Sequence, residues 1–161
     1  MKISNSIFLA LSLLLISCNR NTIYSKYEAI DEEKGWAKNQ QIKFEADIKE
    51  VNVPCDVFIH VRHSGSYPYR NLFLFLHTNY PDGKKATDTI ECVLADETGK
   101  WLGSGLGDLW DHTILFKKNA RFEKAGKYTF SFEQAMRYGD ENFIDPLPLI
   151  ADVGISIEKS K

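Results

Sequence analysis

The chain has 161 residues, 43% of them hydrophobic, with 20 basic against 22 acidic side chains and a formal charge of −2. That composition suits one globular domain with a single core. A weakly acidic chain with no cluster of basic residues in its sequence has no general attraction for nucleic acid or anionic lipid, which sets a nucleic-acid partner aside.

Residues 1–17 read as a signal peptide. Lys2 is the positive n-region, and Ile7 to Ile16, "IFLALSLLLI", is the apolar h-region. It is far shorter than the ~20 apolar residues of a spanning helix. Small Ser17 precedes Cys18, and "LISC" resembles the bacterial lipobox. The expectation is cleavage before Cys18 and acylation of that residue; the alternative is an ordinary signal peptide cut near a cysteine. Losing the leader removes Lys2 and no acid, leaving 19 basic against 22 acidic groups. Each buried methylene of an acyl anchor contributes ~0.8 kcal/mol, so two or more chains hold well. Asn19 after the cysteine is compatible with outer-membrane sorting. Residues 18–23 are expected to form a lipidated tether and 24–161 a single domain, onto which Trp36 packs.

The remaining segments read as strands in chain order. "IKFEADIK" alternates cleanly, with Ile42, Phe44, Ala46 and Ile48 on one side. "CDVFIHVRH" places Cys55, Val57, Ile59 and Val61 inward, and "NLFLFLHT" is apolar on both faces. "DTIECVLA", "HTILFK", "GKYTFSFEQ" and "ADVGISIEK" follow. Turn signals such as "SGSYP", "YPDGKK", "DETGK", "GSGLGD" and "KAGK" separate them. Only "FEQAMRYGDEN" hints at a helical turn. Seven or eight one-sided strands predict an all-β, two-sheet antiparallel sandwich, with jelly-roll-like connectivity favoured over an immunoglobulin-like one.

Three stretches, "HVRHSGSYPYRNLFLFL" (60–76), "PDGKKATDTIECVLADETGKWLGSGLGDLWD" (81–111) and "FEKAGKYTFSFEQAMR" (122–137), taken with the lipobox and the closing "DVGISIEK", resemble the gliding-motility lipoprotein GldH family of Bacteroidota. The resemblance covers nearly the whole mature chain through order and spacing. It implies an envelope lipoprotein linked to gliding and its associated protein-secretion machinery, with no enzymatic activity. Only Cys18 carries over as a functional position, the lipidation site.

No catalytic constellation, cofactor or metal site is readable. His60 and His63 in "HVRH" fall on opposite faces of a strand, which favours polar histidines over metal ligands. "GSGLGD" lacks the Lys-Ser/Thr and the helix of a phosphate cradle and reads as a tight turn. Asp82, Asp96, Glu97 and Asp108 beside loop glycines could ligate calcium, but turn chemistry is the preferred reading. Cys55 and Cys92 both face inward. They form either a disulfide, if their strands face each other, or two buried thiols, the latter being preferred.

If "DVFIHVRH" and "NLFLFLHT" form a hairpin, their outward sides join Phe58, His60 and Arg62 to Phe73, Phe75 and His77. Such a face is either a binding surface or is covered by the N-terminal segment with Trp36 or by a second-sheet contact, and cover is preferred. Tyr67, Tyr69, Trp101 and Trp110 extend this surface or pin their loops. Two functions follow: a lipid-anchored module that docks onto protein partners of the gliding and secretion machinery, or a carbohydrate-binding module stacking aromatics on a glycan.

Overall fold

The computed structural model describes residues 21–139 and 142–161. The expected signal peptide and Cys18 lie outside the described residues. Eleven strands and no helix are described: β1 (Thr22–Ala29), β2 (Ile42–Ile48), β3 (Pro54–Ser64), β4 (Asn71–Asn79), β5 (Lys85–Val93), β6 (Ser104–Leu106), β7 (Leu109–Arg121), β8 (Gly126–Gln134), β9 (Arg137–Tyr138), β10 (Asn142–Phe143) and β11 (Ile150–Lys159). One antiparallel sheet has the order β1-β11-β3-β7-β6, a second has β2-β8-β4-β5, and β9 and β10 make a short ribbon. Most connections between long strands cross from one sheet to the other. The result is an all-β sandwich with interleaved, jelly-roll-like connectivity.

Alternation drives this arrangement, because a strand with one apolar face must bury it against another layer. In β2, Ile42, Phe44, Ala46 and Ile48 are buried while Lys43, Glu45 and Asp47 are exposed. β3 buries Cys55, Val57, Ile59, Val61 and also His63. Leu72, Leu74 and Leu76 of β4, Phe130 and Phe132 of β8, and Val153, Ile155 and Ile157 of β11 complete the core. Phe44 and Phe132 meet edge to face at 5.5 Å. Each such side chain stabilises the fold by roughly 1.5–3 kcal/mol.

Three local expectations need correction. β3 and β4 do not form a hairpin: β3 pairs with β11 and β7, and β4 with β5 and β8. Among the described residues, no helical turn follows β8. Buried Gln134 instead donates from Nε2 to the Ile144 carbonyl at 2.7 Å and accepts from the Met136 amide at 2.9 Å, steering the chain into the β9–β10 ribbon. Strand structure also reaches into the expected tether: β1 starts at Thr22 and pairs antiparallel with β11 from Thr22↔Glu158 to Ala29↔Asp152.

The sandwich has two distinct ends. Asn21, the β2–β3, β4–β5 and β7–β8 loops and the chain's last residues gather at one, as the registers Thr22↔Glu158, Pro54↔Arg121 and Ile48↔Gly126 require. The other, distal end is closed by long connections. There Trp36, with no exposed surface, exchanges backbone hydrogen bonds with Leu147 at 2.8 and 2.9 Å. Gly35 (φ 68°) permits this approach, since a Cβ there would lie 2.9 Å from the Leu147 carbonyl oxygen. Trp36 thus closes the end of the core and does not lie over the outward aromatics.

The same end holds a buried histidine pair. His63 Nδ1 lies 2.8 Å from the Ser64 carbonyl, which can only accept, so that nitrogen carries the proton. His63 Nε2 is then bare and accepts from His112 Nε2 at 3.0 Å. Trp101 packs edge-on against His63 at 4.4 Å. Burial, and then the neighbouring His63, push the His112 ring down to about 4. Cys55 lies next to Ala120 and Lys159 near the Asn21 end, whereas Cys92 lies opposite Leu72 near the distal end. Both are buried and free. The length of β3, at ~3.3 Å per residue, keeps them far beyond the ~7 Å limit of a bridge.

Two measurements test this core. An unfolded histidine protonates near 6.5, whereas folded His112 resists until about 4, so the unfolded state binds the extra proton between these values. Stability should be intact above about pH 6.5 and fall on the order of 2 kcal/mol by pH 4. In urea melts across that range, His112→Phe should lose less stability than wild type; parallel pH profiles would refute the pair's role. Burial pushes the Cys92 thiol up to about 12. Iodoacetamide at pH 8 should therefore leave Cys92 unmodified until denaturant is added, as read by intact mass without reductant.

Candidate functional site

The crossing between β3 and β4 divides the outward residues expected to share one surface. Phe58, His60 and Arg62 lie on the outer side of the β3 sheet; Phe73, Phe75 and His77 lie on the outer side of the β4 sheet. The two sets face opposite directions.

The first set is internally satisfied. His60 bridges Ser156 Oγ at 2.8 Å and Thr113 Oγ1 at 3.2 Å, and the ring of Tyr27 packs against it at 5.0 Å. Tyr27 reaches it across Gly154, where a Cβ would fall 2.6 Å from the tyrosine ring. Burial lowers the His60 pKa, favouring the neutral ring. Arg62 joins Asp111 at 2.6 Å and Asp152 at 3.2 Å. Burial raises the Asp152 carboxyl, partly offset by Arg62. Phe58 lies half-buried beside this network.

The second set is different. Phe73 and Phe75 are half-buried on the outer face of a sheet whose far edge strand, β2, presents only charges there. With Tyr69, Thr89, Met136 and Arg137 they line a groove of about 480 Å³. One wall is the chain leaving β8: the Ala135 amide donates to the Phe73 carbonyl at 2.8 Å, and the Phe73 amide approaches Met136 Sδ at 3.3 Å. Arg137 lies over Phe143, at 4.4 Å from its centroid, with Lys38 at 3.3 Å. His77 borders the face through Thr87, at 2.9 Å from Nδ1. An aromatic, Met- and Arg-lined depression has the composition of a protein-binding surface.

Of the loop aromatics, only Tyr69 reaches this groove. Tyr67 is buried, donating from its hydroxyl to the Asn71 carbonyl at 3.1 Å. Trp101 covers His63, and Trp110 lies against Gly105, within 3.1 Å of where a Cβ would stand. These three pin their loops.

The acidic loop residues serve turns and surface pairs. Asp96 Oδ1 accepts from the Thr98 hydroxyl at 2.7 Å and from the Thr98 and Lys100 amides, and these bonds lower its pKa. Asp82 pairs with Lys124 at 2.9 Å, and Asp108 accepts from Ser64 at 2.7 Å. Glu97 lies in the same tight turn as Asp96. Among the described residues, no group of three or more His, Cys, Asp or Glu is placed to hold a metal ion.

Sequence reasoning missed Met136 and Arg137, read there as part of a helical turn. It also missed Leu106, which is 85% exposed in the β6–β7 hairpin with Leu102 and Leu109 nearby in sequence and exposed. An apolar residue set inside "GSGLGD" was the available signal. Groove and hairpin both lie toward the distal end, away from Asn21.

The GldH lipoprotein family model matches residues 22–157. A gliding motility lipoprotein GldH homolog of Christiangramia forsetii is 39% identical over 155 residues, covering 96% of this chain and 94% of that protein. The gliding motility lipoprotein GldH of Flavobacterium johnsoniae is 30% identical over 161 residues, covering 99% of each. Among solved structures, the VP2 subviral particle of infectious bursal disease virus aligns at 14% identity and a TM-score of 0.30, over 87% of this chain and 38% of that one. The family match and the two full-length relatives agree, and the chain belongs to the GldH lipoprotein family.

Proposed function

We propose that this chain is a non-catalytic interaction module of the cell envelope, anchored to the outer membrane through acylated Cys18, that supports gliding motility and the associated protein secretion. The observation that carries the docking role is the groove of Tyr69, Phe73, Phe75 and Arg137 on an outer sheet face that alternation would otherwise make polar. Its position supports the reading. Asn21, three residues after Cys18, lies at the opposite end from the distal loops beside the groove, so an anchored domain presents the groove away from the bilayer. Three residues extend about 10 Å at most, which keeps the body close to the membrane.

Affinity purification of the tagged full-length chain from detergent-solubilised membranes tests the docking site. Arg137 is exposed, so Arg137→Glu should keep the wild-type melting temperature. With Phe75→Asp as a second variant, it should weaken recovery of co-purifying envelope proteins by about 30-fold, the loss expected from a ~2 kcal/mol hot spot. Undiminished recovery by both folded variants refutes the groove as the docking site. The anchor has its own test. Cys18→Ala should abolish incorporation of a clickable fatty acid and release the chain from the membrane fraction.

A further inference from the structure

The topology gathers at the Asn21 end a surface that no single stretch of sequence displays. On the β5–β7 side the two sheets part around a cleft of about 510 Å³, within the ~300–1,000 Å³ range of small-molecule sites. The cause lies in β7. Opposite Cys55 to Phe58 it spends two extra residues, since Cys55 pairs with Ala120, Val57 with Lys117 and Phe58 with Leu115. Asn119 takes φ 52° there, its amide held by Asp56 Oδ1 at 2.8 Å. A strand bulged in this way bends and leaves its partner layer. β6 pairs only with Leu109–Asp111, so it does not close the flank lower down.

The cleft is apolar inside and cationic at its mouth. Val57, Phe116, Ala120, Phe122, Tyr128 and Phe130 form the walls. Tyr128 meets Phe122 at 5.0 Å and Tyr80 at 5.6 Å, both edge to face. Around the opening stand Lys84, Lys85, Lys117, Arg121 and Lys124, against Asp82 and Glu123. Asp82 is taken by Lys124 at 2.9 Å, and Lys117 leans on Asp88 at 3.4 Å. Lys85 and Arg121 pair with no carboxylate among the described residues.

We propose that this cleft takes the acyl chain of an anionic lipid from the membrane that holds the protein, with the negative headgroup at Lys85 and Arg121. This rests on the membrane-anchored reading above. Three observations converge. The cleft opens at the end where the chain emerges toward Cys18. Its walls suit a hydrocarbon tail, and its rim carries an excess of positive charge. A peptide adding as a strand suits the site less, because the bulge at Lys117–Asn119 interrupts the β7 edge such a strand would need.

The test uses the full-length acylated chain in phosphatidylcholine vesicles containing phosphatidylglycerol with a diazirine-bearing acyl chain. After irradiation, adducts mapped by mass spectrometry should concentrate on peptides containing Phe116, Phe122 and Tyr128, and should be scarcer with a zwitterionic diazirine lipid. Ala120→Trp should fill the cleft and remove them. The exposed pair Lys84→Glu and Lys85→Glu should cut them about ten-fold at an unchanged melting temperature. Adducts scattered over the surface, adducts unchanged in the folded Lys84→Glu and Lys85→Glu variant, or a peptide rather than a lipid retained in native mass spectrometry would overturn the proposal. Fatty-acid labelling of Cys18 is scored separately. If it is absent, the anchor reading fails while the adduct map still decides the cleft.

Discussion

Tyr67, buried where the chain passes from one sheet to the other, is the contact on which the surface of this molecule depends. Its backbone amide donates to the Ser64 carbonyl at 2.9 Å and its hydroxyl to the Asn71 carbonyl at 3.1 Å, so one residue ties the end of β3 to the start of β4. Its ring contacts His63 at 5.3 Å and Tyr69 at 5.4 Å. A tyrosine buried with its hydroxyl satisfied is well suited to such a joint, since its area stabilises the core while its polar tip meets a carbonyl. Had the same residues formed a hairpin turn, Arg62 and Phe73 would share one surface. The crossing sends them to opposite sides, where one set is consumed in a polar network and the other lines a groove.

The crossing pattern also gives the sandwich its polarity. β1, β3, β5 and β8 start, and β2, β4, β7 and β11 finish, at the Asn21 end, so that end has short connections and carries both ends of the described domain. The distal end receives the long connections, and these bring Trp36 and Tyr67 into the core and pack Trp101 against it. Family membership associates the chain with lipoproteins of gliding motility. Under the proposed anchoring, such polarity would turn the cleft toward the bilayer and the groove away from it.

Much of the architecture was legible because alternation is a local signal. β2, β3 and β4 bury every second residue, as their alternation predicts, whereas β8 and β11 bury their apolar alternates and also Ser131 in β8 and Gly154 and Ser156 in β11, which lie on the other face. β1 escaped because "TIYSKYEA" is an edge strand with a largely exposed pattern, and its place is set by pairing with β11 rather than by its own apolar face. The segment after Gln134 was misread because Met136 and Arg137 are good helix formers, whereas the buried amide of Gln134 decides the path through tertiary hydrogen bonds. The groove was half legible: Phe73 and Phe75 announced an unusual outer face, but the wall that makes it a depression comes from across the sheet. The cationic rim was not legible at all, since its members come from the β4–β5 and β7–β8 loops and from the ends of β5 and β7.

The stretch "FKKNAR" shows why a single segment can answer to two constraints. Below its short pairing with β6, β7 is an open edge among the described residues, and open edges invite pairing with other chains. Lys117 and Lys118 place charge along it, and Asn119, in the left-handed region, breaks its flatness. Those are the standard protections of an exposed edge. The same bulge lifts β7 from the facing sheet, so Phe116 and Ala120 come to line an opening instead of a sealed seam. Protection of the edge and exposure of an apolar cleft are thus one geometric event. A flat β7 would seal the core on this side, and its unbroken edge would be free to recruit a neighbouring strand.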